Sequence, residues 1–502
     1  MRYIEGIDRK RKIAYPEYID DYITDDNPVR VIDAFVDALN LEPMGFKNIT
    51  PSHTGRPGFN PKDLLKLYIY GYMNRITSSR RLESEAIRNV ELMWLIRRLR
   101  PDYKTIADFR KDNKDAIQSV FKQFVALCKQ WDLFGMEVIA VDGSKFRASN
   151  SKKNNLNQKS LARKIKYLEE KIQEYMTQIN ENDRYEESIR RPDAQEIKEK
   201  IKELKFRKEQ YENVLQELKE EGINEISTID PEARLMAVNN NGVDVCYNVQ
   251  TVVDDKHCLI VDINVINNPT DHGQLSEMSI RAMDVFEVDN IKCLADKGYY
   301  NADDLKACEK ENITTYVAKQ VFSNATGERD FYSDKFEYDK EKNVYICPAG
   351  YELKCKRKAP IKNDTKYTEY ANYEACSKCE YKDKCTTSKK GRRIKRSIDQ
   401  GFLDSVDDRT SENKELYKRR QMIVEHPYGT VKRGWGLSYF LTRGLRSVKT
   451  EVSLAFLAYN MKRVMNILGI KEMIKRLEGL FHPSNLCKLH KNIYWKFIGR
   501  CM

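Results

Sequence analysis

The sequence predicts a mixed α/β protein in which an all-α region precedes a sheet-containing core, and two inserts interrupt that core. Three observations support this fold class. Apolar residues recur three and four positions apart from Pro28 to about Gln130, which is the spacing of amphipathic helices. Short runs rich in β-branched residues, typical of buried strands, begin at Met136. Two stretches of different composition, one helical and one rich in cysteine, separate these runs.

Length and composition exclude several classes of protein. With 502 residues, 41% of them hydrophobic and 33% charged, the chain is neither a small stapled peptide nor disordered throughout, and about three domains are expected. No run of about 18 apolar residues marks a membrane span, and the N-terminus has no apolar signal core, so a cytosolic location is expected. Lys and Arg (88) exceed Asp and Glu (76) by 12, which favours a polyanionic partner.

The first region, residues 1–132, is predicted to be a compact basic helical domain. Val29, Ile32 and Phe35 share one helix face in VRVIDAFVDALN, and Pro61 stands at a position where a helix can begin. Basic residues occupy the exposed positions between the apolar stripes. Such a domain can dock a helix on DNA, but a helical bundle with solvated basic faces fits this stretch equally well.

The core is predicted to contain five strands and three helices, in the order three strands, helix, strand, helix, strand, helix. The first strand, in MEVIAVDGSKF, is expected to stop abruptly at Asp142-Gly143. The fourth is expected to end at Asp296, and the last helix to run at least to Glu425, where Pro427 disturbs it. The other strands are predicted at 243–254, 258–266 and 314–319, and the other helices at 274–286 and from residue 301.

Two inserts are predicted within this core. In the first, residues 158–222, apolar residues recur at helical spacing on two segments separated by the polar stretch RYEESIRRPDAQ. An antiparallel helical hairpin is expected there, serving as a lever or a partner surface. The second insert, residues 320–408, contains a cluster of cysteines and the basic run KKGRRIKRS. For that run, contact with a DNA backbone and a merely exposed loop both remain open.

Three carboxylates are the candidate catalytic residues: Asp142 on the first strand, Asp296 on the fourth, and Glu425 on the last helix. In the predicted order the first and fourth strands are neighbours and the helix packs across their ends, so the acids meet at one edge. Carboxylates that close repel one another unless divalent cations neutralise them, and hard oxygen ligands select Mg²⁺ or Mn²⁺. Two such ions about 4 Å apart can activate an attacking hydroxyl and stabilise the leaving oxygen of a phosphodiester.

Several motifs occur together and in order: VIAVDGSKFRASNSKKN, DPEARLM, YNVQTVVD, LADKGYYN and EHPYGTVKRGW. They resemble the DDE transposases of bacterial insertion sequences, which have an RNase H-like (retroviral integrase-type) catalytic core. The segment from PKDLLKLYIYGYMNRITSSRRLE to KTIADFRKDN is similar to the helical domain that precedes this core in one branch of the family. The resemblance extends from about residue 20 to about residue 470.

The resemblance implies that Asp142, Asp296 and Glu425 form the family's acidic triad. The family signature around the glutamate is Tyr, two residues, Arg, three residues, Glu, six residues, Lys. Glu425 and Lys432 keep the spacing of its second half. The first half departs from the pattern, because four residues separate Arg420 from Glu425 and a glutamine occupies the expected arginine position.

Basic and aromatic residues around the glutamate are the candidate DNA contacts. Arg419 or Arg420 is expected to reach a phosphate from a neighbouring helix face. Lys432 and Arg433 are expected to contact the phosphates beside the cut, with a solvated basic pair as the alternative. Trp435 is a candidate for stacking on an unpaired base at the transposon end, and anchoring of its own loop is the competing interpretation.

The cysteine cluster of the second insert is a candidate zinc site. The chain has 12 cysteines, and in a reducing cytosol the scattered ones are small core residues. Four thiolates suit a tetrahedral structural Zn²⁺, and the alternative is a cluster of reduced cysteines. The expected ligands are Cys347, Cys376, Cys379 and Cys385, with Cys355 as the competing fourth.

These segments give a predicted domain order and function. The domains are 1–132, N-terminal helical DNA-binding domain; 133–157 and 223–319, catalytic core, first part; 158–222, helical hairpin insert; 320–408, cysteine-rich insert; 409–470, last part of the core with the glutamate-bearing helix; and 471–502, C-terminal tail. The expected function is that of a transposase, which cuts DNA at the inverted ends of its element with Mg²⁺ or Mn²⁺ and joins the freed 3′ ends to target DNA.

The resemblance also implies partners and a location, and two alternatives to this function stay open. A homodimer is expected in the synaptic complex, in the bacterial cytosol at the nucleoid, with no membrane partner. One alternative is a sequence-specific DNA-binding repressor or inactive relic of a transposase. The other is a structure-specific nuclease without strand transfer.

Overall fold

A computed structural model describes residues 18–50, 58–150, 152–182, 194–220, 222, 225–238, 242–319, 324–358 and 367–479. The helices are α1 Pro28–Ala38, α2 Pro61–Met73, α3 Ser79–Arg88, α4 Val90–Leu95, α5 Tyr103–Asp112, α6 Lys114–Gln130, α7 Gln158–Asn182, α8 Ala194–Glu220, α9 Gln274–Phe286, α10 Ala302–Lys310, α11 Tyr373–Ser377, α12 Lys382–Cys385, α13 Gln400–Glu412, α14 Lys414–Tyr428, α15 Leu445–Leu468 and α16 Ile470–Glu478. The strands are β1 Val138–Arg147, β2 Asn155–Asn157, β3 Glu225–Ser227, β4 Arg234–Val238, β5 Gly242–Asp254, β6 Ile260–Ile266, β7 Ile291–Ala295, β8 Ile313–Val317, β9 Glu337–Asp339, β10 Val344–Ile346, β11 Glu352–Lys358, β12 Tyr367–Ala371 and β13 Arg393–Ser397.

The central sheet is six-stranded, in the order β4-β5-β1-β7-β8, with β6 also paired to β5. β1 is antiparallel to β5 and parallel to β7, which is in turn parallel to β8. β4 and β6 are both antiparallel to β5. The apolar run Val138–Val141 is buried in β1, as expected for a central strand covered on both faces. The carboxyl ends of β1, β7 and β8 therefore meet at one edge of the sheet.

Helix α15 joins the N-terminal helices to the sheet. It packs against α2, α6 and β6, and the Asn460 side chain exchanges two hydrogen bonds with the Ile260 backbone, at 2.9 and 2.8 Å. Helix α16, at the start of the segment predicted as a tail, packs against α1. One hydrophobic core consequently extends from Ile23 to Leu477. Within the described part of the chain no helix, α15 included, is long and apolar enough to cross a bilayer.

The first insert is an antiparallel pair of helices, α7 and α8. Leu161 near the start of α7 shares an apolar cluster with Leu218 near the end of α8, and Ile172 shares another with Ile197 and Ile201. Strands β2 and β3 pair at the base of the hairpin. The predicted polar connection around Pro192 lies outside the described residues, apart from the first turn of α8.

The second insert contains a five-stranded antiparallel sheet in the order β13-β12-β11-β10-β9. Its own small core contains Phe336, Tyr345, Leu353, Tyr370 and Ile394. Helix α13 begins within the last residues assigned to this insert, but it packs against β8 of the central sheet. The Val317 N–H donates to Thr410 Oγ1 on α13 at 3.2 Å, so the chain returns to the central sheet through this helix.

The expected stop of the first strand at Asp142-Gly143 is wrong. β1 continues to Arg147, because residues Ile139 to Arg147 all pair with β5. Helix α14, by contrast, passes Glu425 as anticipated and includes Pro427. Since proline removes one backbone donor, the helix loosens at that point and continues as a π-helical turn, Gly429–Gly434.

Candidate acidic site at the edge of the central sheet

Asp142 and Asp296 lie next to each other where the parallel strands separate. Val141 of β1 and Ala295 of β7 are the last paired residues of these strands, and the two aspartates follow them directly. Neighbouring strands are about 4.8 Å apart, so Asp142, which stays in β1, and Asp296, which leaves β7, lie side by side. Asp296 also caps a short 3₁₀ turn, Lys297–Tyr299, by accepting a hydrogen bond from the Gly298 N–H.

The Asp142 carboxyl is held in an unfavourable environment for its charge. Burial raises its pKa to about 7, and the nearby negative charges of Asp296 and Asp271 raise it as well. The Arg420 guanidinium and the Gly143 N–H act in the opposite direction. The ionised form of Asp142 is therefore unfavourable, because it is buried and lies next to another carboxylate. A bound cation would remove this electrostatic cost.

Asp271, which follows β6 in the sequence PTDHGQL, is a third acid at this site that sequence reasoning did not identify. Its Oδ1 accepts hydrogen bonds from Asn248 Nδ2 at 2.6 Å and Gln250 Nε2 at 2.7 Å. Lys145 Nζ lies 3.3 Å from the same oxygen. The sequence signal was weak, an acidic residue in the loop five positions beyond the end of β6, because the approach of Asp271 to Asp142 depends on how β5 and β6 pair.

Gly143 makes the approach of Asp271 possible. A Cβ atom at position 143 would lie 2.5 Å from Asp271 Oδ1, closer than real Cβ contacts come. It would also lie 3.0 Å from Asn248 Oδ1, which is a very tight contact. Gly143 therefore leaves room for the Asp271 carboxylate and does not form the predicted turn. Asn248 is fully buried, and its Oδ1 has no hydrogen-bond partner. A buried amide oxygen without a donor, beside a carboxylate cluster, fits the oxygen ligands that a hard divalent cation prefers.

Glu425 is on helix α14, which the sheet fixes through Tyr428. The Tyr428 hydroxyl lies 2.8 Å from the Val249 carbonyl oxygen, 3.1 Å from the Asp142 carbonyl oxygen, and accepts from Thr251 Oγ1 at 3.1 Å. Glu425 precedes Tyr428 by three residues, which is about one helical turn. Its side chain is exposed and accepts a hydrogen bond from Gln421 Nε2 at 2.9 Å.

The predicted phosphate-contacting residues divide into two groups. Arg419 pairs with Asp255 at 2.6 Å, and Lys432 Nζ donates to Ser144 Oγ at 2.9 Å and to the Lys145 carbonyl oxygen at 2.7 Å, so both attach α14 and its extension to the sheet. Burial lowers the pKa of Lys432. In the second group, the half-buried Arg420 is near enough to Asp142 to lower its pKa, and Arg433 is exposed.

Trp435 lines a groove between the N-terminal helices and the segment after α14. The groove has a volume of about 200 Å³, and its lining includes Arg75, Arg81, Trp435 and Tyr439. The backbone at Tyr439 forms a β-bridge with Arg147 at the end of β1. Arg147 is five residues beyond Asp142, about 17 Å along an extended strand. The groove and the acidic site therefore lie at the two ends of one stretch of β1.

The four cysteines expected to bind zinc come together around one cavity of the second insert, whereas Cys355 is exposed and does not line it. Among the residues that the structure describes, no three His, Cys, Asp or Glu side chains are already arranged to hold a metal ion. At the acidic site, Asp296 and Asp271 lie near enough to Asp142 to raise its pKa.

Comparisons with known proteins find two matches to transposase family models. A model described as a transposase DDE domain matches residues 346–465, and one described as a transposase domain (DUF772) matches residues 17–112. Two separate segments of the chain therefore match transposase domains, and one of these domains is of the DDE type. The two matches confirm the resemblance to DDE transposases of insertion sequences. The DDE-domain match contains Glu425 and the cysteine cluster, and it begins after both aspartates.

Structural comparison gives one further similarity. A cryo-EM structure of a piggyBac transposase synaptic complex with hairpin DNA matches with 8% sequence identity and a TM-score of 0.29, covering 93% of this chain and 82% of that chain. A TM-score this low does not establish a common fold, so the architecture of this chain is described from its own sheet topology. Comparison with curated proteins found no match.

Proposed function

We propose that the chain is a metal-dependent transposase that cleaves DNA at the ends of its element and joins them to target DNA. The single observation that carries this proposal is the placement of Asp142 and Asp296 side by side after the last paired residues of β1 and β7. The transposase family matches give the reaction class, because paired carboxylates alone are common to many phosphoryl-transfer enzymes.

The sheet topology supports an RNase H-like core. Strands β6, β5 and β1 form an antiparallel set, and β7 and β8 then continue the sheet parallel to β1. Helices α9, α10 and α14 follow these strands along the chain in the order predicted from the sequence patterns. In open sheets of this kind, ligands bind at the carboxyl ends of the parallel strands, which is the edge occupied by Asp142 and Asp296.

The residues present fit a divalent cation, Mg²⁺ or Mn²⁺. Asp142 and Asp296 would hold it, together with Glu425 from α14. The Asn248 Oδ1 atom nearby has no hydrogen-bond partner, so one further oxygen ligand is available. When bound, the cation supplies a lowered pKa for the attacking hydroxyl and charge stabilisation at the phosphate. The chain's own residues fix the geometry: Tyr428 holds α14 against the sheet one turn from Glu425.

The proposed substrate, DNA, has two matching surfaces. Arg420 holds Asp142 closer to its ionised form and is positioned to receive a phosphate. Arg75 and Arg81, exposed beside Trp435 and Tyr439, provide cations and aromatic faces for a nucleic-acid backbone and an unstacked base. The N-terminal helices are the proposed end-recognition domain, and the α7–α8 hairpin is the proposed contact between the two protomers of a synaptic dimer.

A cleavage and joining assay tests this proposal. Labelled fragments that carry the inverted repeats flanking the reading frame are incubated with protein, Mg²⁺ and a target plasmid. Asp142→Asn is compared with Asp289→Asn, which changes an exposed acid at the opposite end of β7. We expect Mg²⁺-dependent nicks and joined products from the native protein and from Asp289→Asn, and a loss of at least about 100-fold for Asp142→Asn.

The same assay separates the alternatives. Nicking without joined products would identify a nuclease without strand transfer. Binding of the end fragments without any cleavage would identify a repressor or an inactive relic. Equal cleavage by Asp142→Asn and native protein would remove Asp142 from the reaction.

A further inference from the structure

The second insert has a small hydrophobic core for the size of its sheet. The five-stranded sheet packs around a core whose buried members are Phe336, Tyr345, Leu353, Tyr370 and Ile394. Small domains with so little buried apolar area usually need a disulfide or a metal ion to hold them. The cysteines of this insert are free thiols, which leaves a metal as the available cross-link.

Four of these cysteines converge from separate elements on one cavity. Cys347 directly follows β10, Cys376 lies in α11, Cys379 follows α11, and Cys385 ends α12. All four line a cavity of about 30 Å³ whose wall also includes Phe336 and Leu353 of the small core. A cavity of this size holds one or two water molecules or a single ion, but not an organic cofactor.

Two tight turns present the thiols. The Cys347 N–H donates to the Tyr351 carbonyl at 3.0 Å, and the Gly350 N–H donates to the Cys347 carbonyl at 2.8 Å, with Gly350 at a φ of +81°. On the other side, Gly391 has a φ of +109°, and a Cβ there would lie 2.6 Å from Cys376 Cβ. Both turns depend on glycine, so the backbone packs closely around the cysteine cluster.

Charge around the cavity fits a thiolate complex. Lys382 and Arg392 both line it. The Arg392 Nε is buried and has no hydrogen-bond partner, so a donor is available for a sulfur acceptor. Four thiolates around one divalent ion carry a net charge of about −2, which these two cations balance.

We propose that Cys347, Cys376, Cys379 and Cys385 bind one structural zinc ion, which stabilises the sheet of the second insert. The structure resolves the competition for the fourth ligand, because Cys355 is exposed on β11 and outside the cavity. Binding displaces the thiol protons to solvent and leaves zinc in the divalent state, so neither oxidant nor reductant is required.

The test measures metal content in the full-length protein, purified under reducing conditions without chelator. We expect about one zinc per chain in the native protein and in the control Cys355→Ser, and a loss of most of it in Cys347→Ser and Cys379→Ser. Replacement of zinc by Co²⁺ should give the visible absorption of a tetrahedral cobalt thiolate site. Equal loss of zinc in Cys355→Ser would overturn the ligand set, and iron in place of zinc would overturn the choice of metal.

A second measurement does not depend on the folding of any variant. A mercurial thiol reagent is added to the native protein, and released zinc is followed with a colorimetric chelator. Zinc release that follows thiol modification supports a thiolate site. A native protein with less than about a tenth of an equivalent of bound metal, whose unfolding temperature changes with neither chelator nor added zinc, would exclude the proposal.

Discussion

Asp142 on β1 and Asp296 after β7 each follow a member of the same register pair, Val141 and Ala295. This relationship places two carboxylates from residues distant in sequence side by side at one edge of the sheet. The raised pKa of Asp142, about 7, is the energetic consequence, because burial and the Asp296 charge both disfavour its ionised form.

The stability of the metal-free protein should depend on pH through Asp142. Because its pKa is raised from 3.8 to about 7, the folded state binds the proton more tightly than the unfolded state, and stability falls as pH rises through this interval. Asp142→Asn removes the penalty. In EDTA its free energy of unfolding should exceed that of the native protein by up to about 4 kcal/mol at pH 8 and by nearly nothing below pH 4. The free energy of unfolding is measured by denaturant titration at each pH, with Asp289→Asn as the control. A difference between Asp142→Asn and native protein that stays constant across this pH range would contradict the raised pKa of Asp142.

Asp271→Asn should weaken the cation site without abolishing it. The change removes a negative charge that Asn248, Gln250 and Lys145 now hold beside Asp142. Groups that orient metal ligands typically contribute 10- to 100-fold, so cleavage at limiting Mg²⁺ should fall by about that factor and recover at high Mg²⁺. The measurement is the Mg²⁺ concentration for half-maximal cleavage. An unchanged value would show that Asp271 has only a structural role.

Gly143→Ala should reduce both stability and cleavage. The added Cβ would lie 2.5 Å from Asp271 Oδ1, so either that carboxylate or the strand must move. Overpacking of this kind costs about 1–3 kcal/mol. The control is Gly401→Ala on α13, where a Cβ meets nothing within 4 Å. Thermal unfolding checks the stability loss, and end-fragment cleavage checks the activity; a fully active Gly143→Ala protein would rule out a close approach of Asp271.

The groove beside Trp435 should contribute electrostatic affinity for DNA. Replacing Arg75 and Arg81 by alanine should weaken binding uniformly across DNA sequences. It should also reduce the slope of log affinity against log salt by about 0.9 for each lost phosphate contact. Fluorescence anisotropy at several salt concentrations measures both quantities. Lys310→Ala, which removes an exposed cation at the end of α10, is the control, and identical salt slopes for all three proteins would exclude the groove from the DNA interface.

Local sequence patterns predicted most strands of the central sheet and most helices that pack on it. Alternation of apolar and polar residues, β-branched runs and N-cap residues all act within a few positions of the chain. The runs at 243–254 and 274–286 correspond to β5 and α9. The positions of Asp142 and Asp296 followed from strand order alone. Pairing between distant segments was the missing information: β5 extends β1 past Gly143, where local turn preference predicted a stop.

The same limitation applies to the site. Asp271 was missed because its contacts with Asn248 and Gln250 depend on the pairing of β5 with the following strand. Lys432 carried a recognisable spacing from Glu425, but spacing does not show what a lysine contacts, and here it donates to Ser144 and Lys145. The cysteine spacing identified a cluster, and only the fold separated Cys355 from the other four.

The most direct test of the central claim is metal rescue of cysteine variants. Asp142→Cys and Asp296→Cys each exchange a hard oxygen ligand for a softer sulfur, which binds Mg²⁺ poorly and Mn²⁺ better. If these aspartates hold the cation, each variant should fail to cleave end fragments in Mg²⁺ and should regain cleavage in Mn²⁺, while Asp289→Cys stays active in both. Two results would contradict a cation site formed by Asp142 and Asp296. One is that both variants are inactive in Mg²⁺ and also in Mn²⁺; the other is that both are fully active in Mg²⁺.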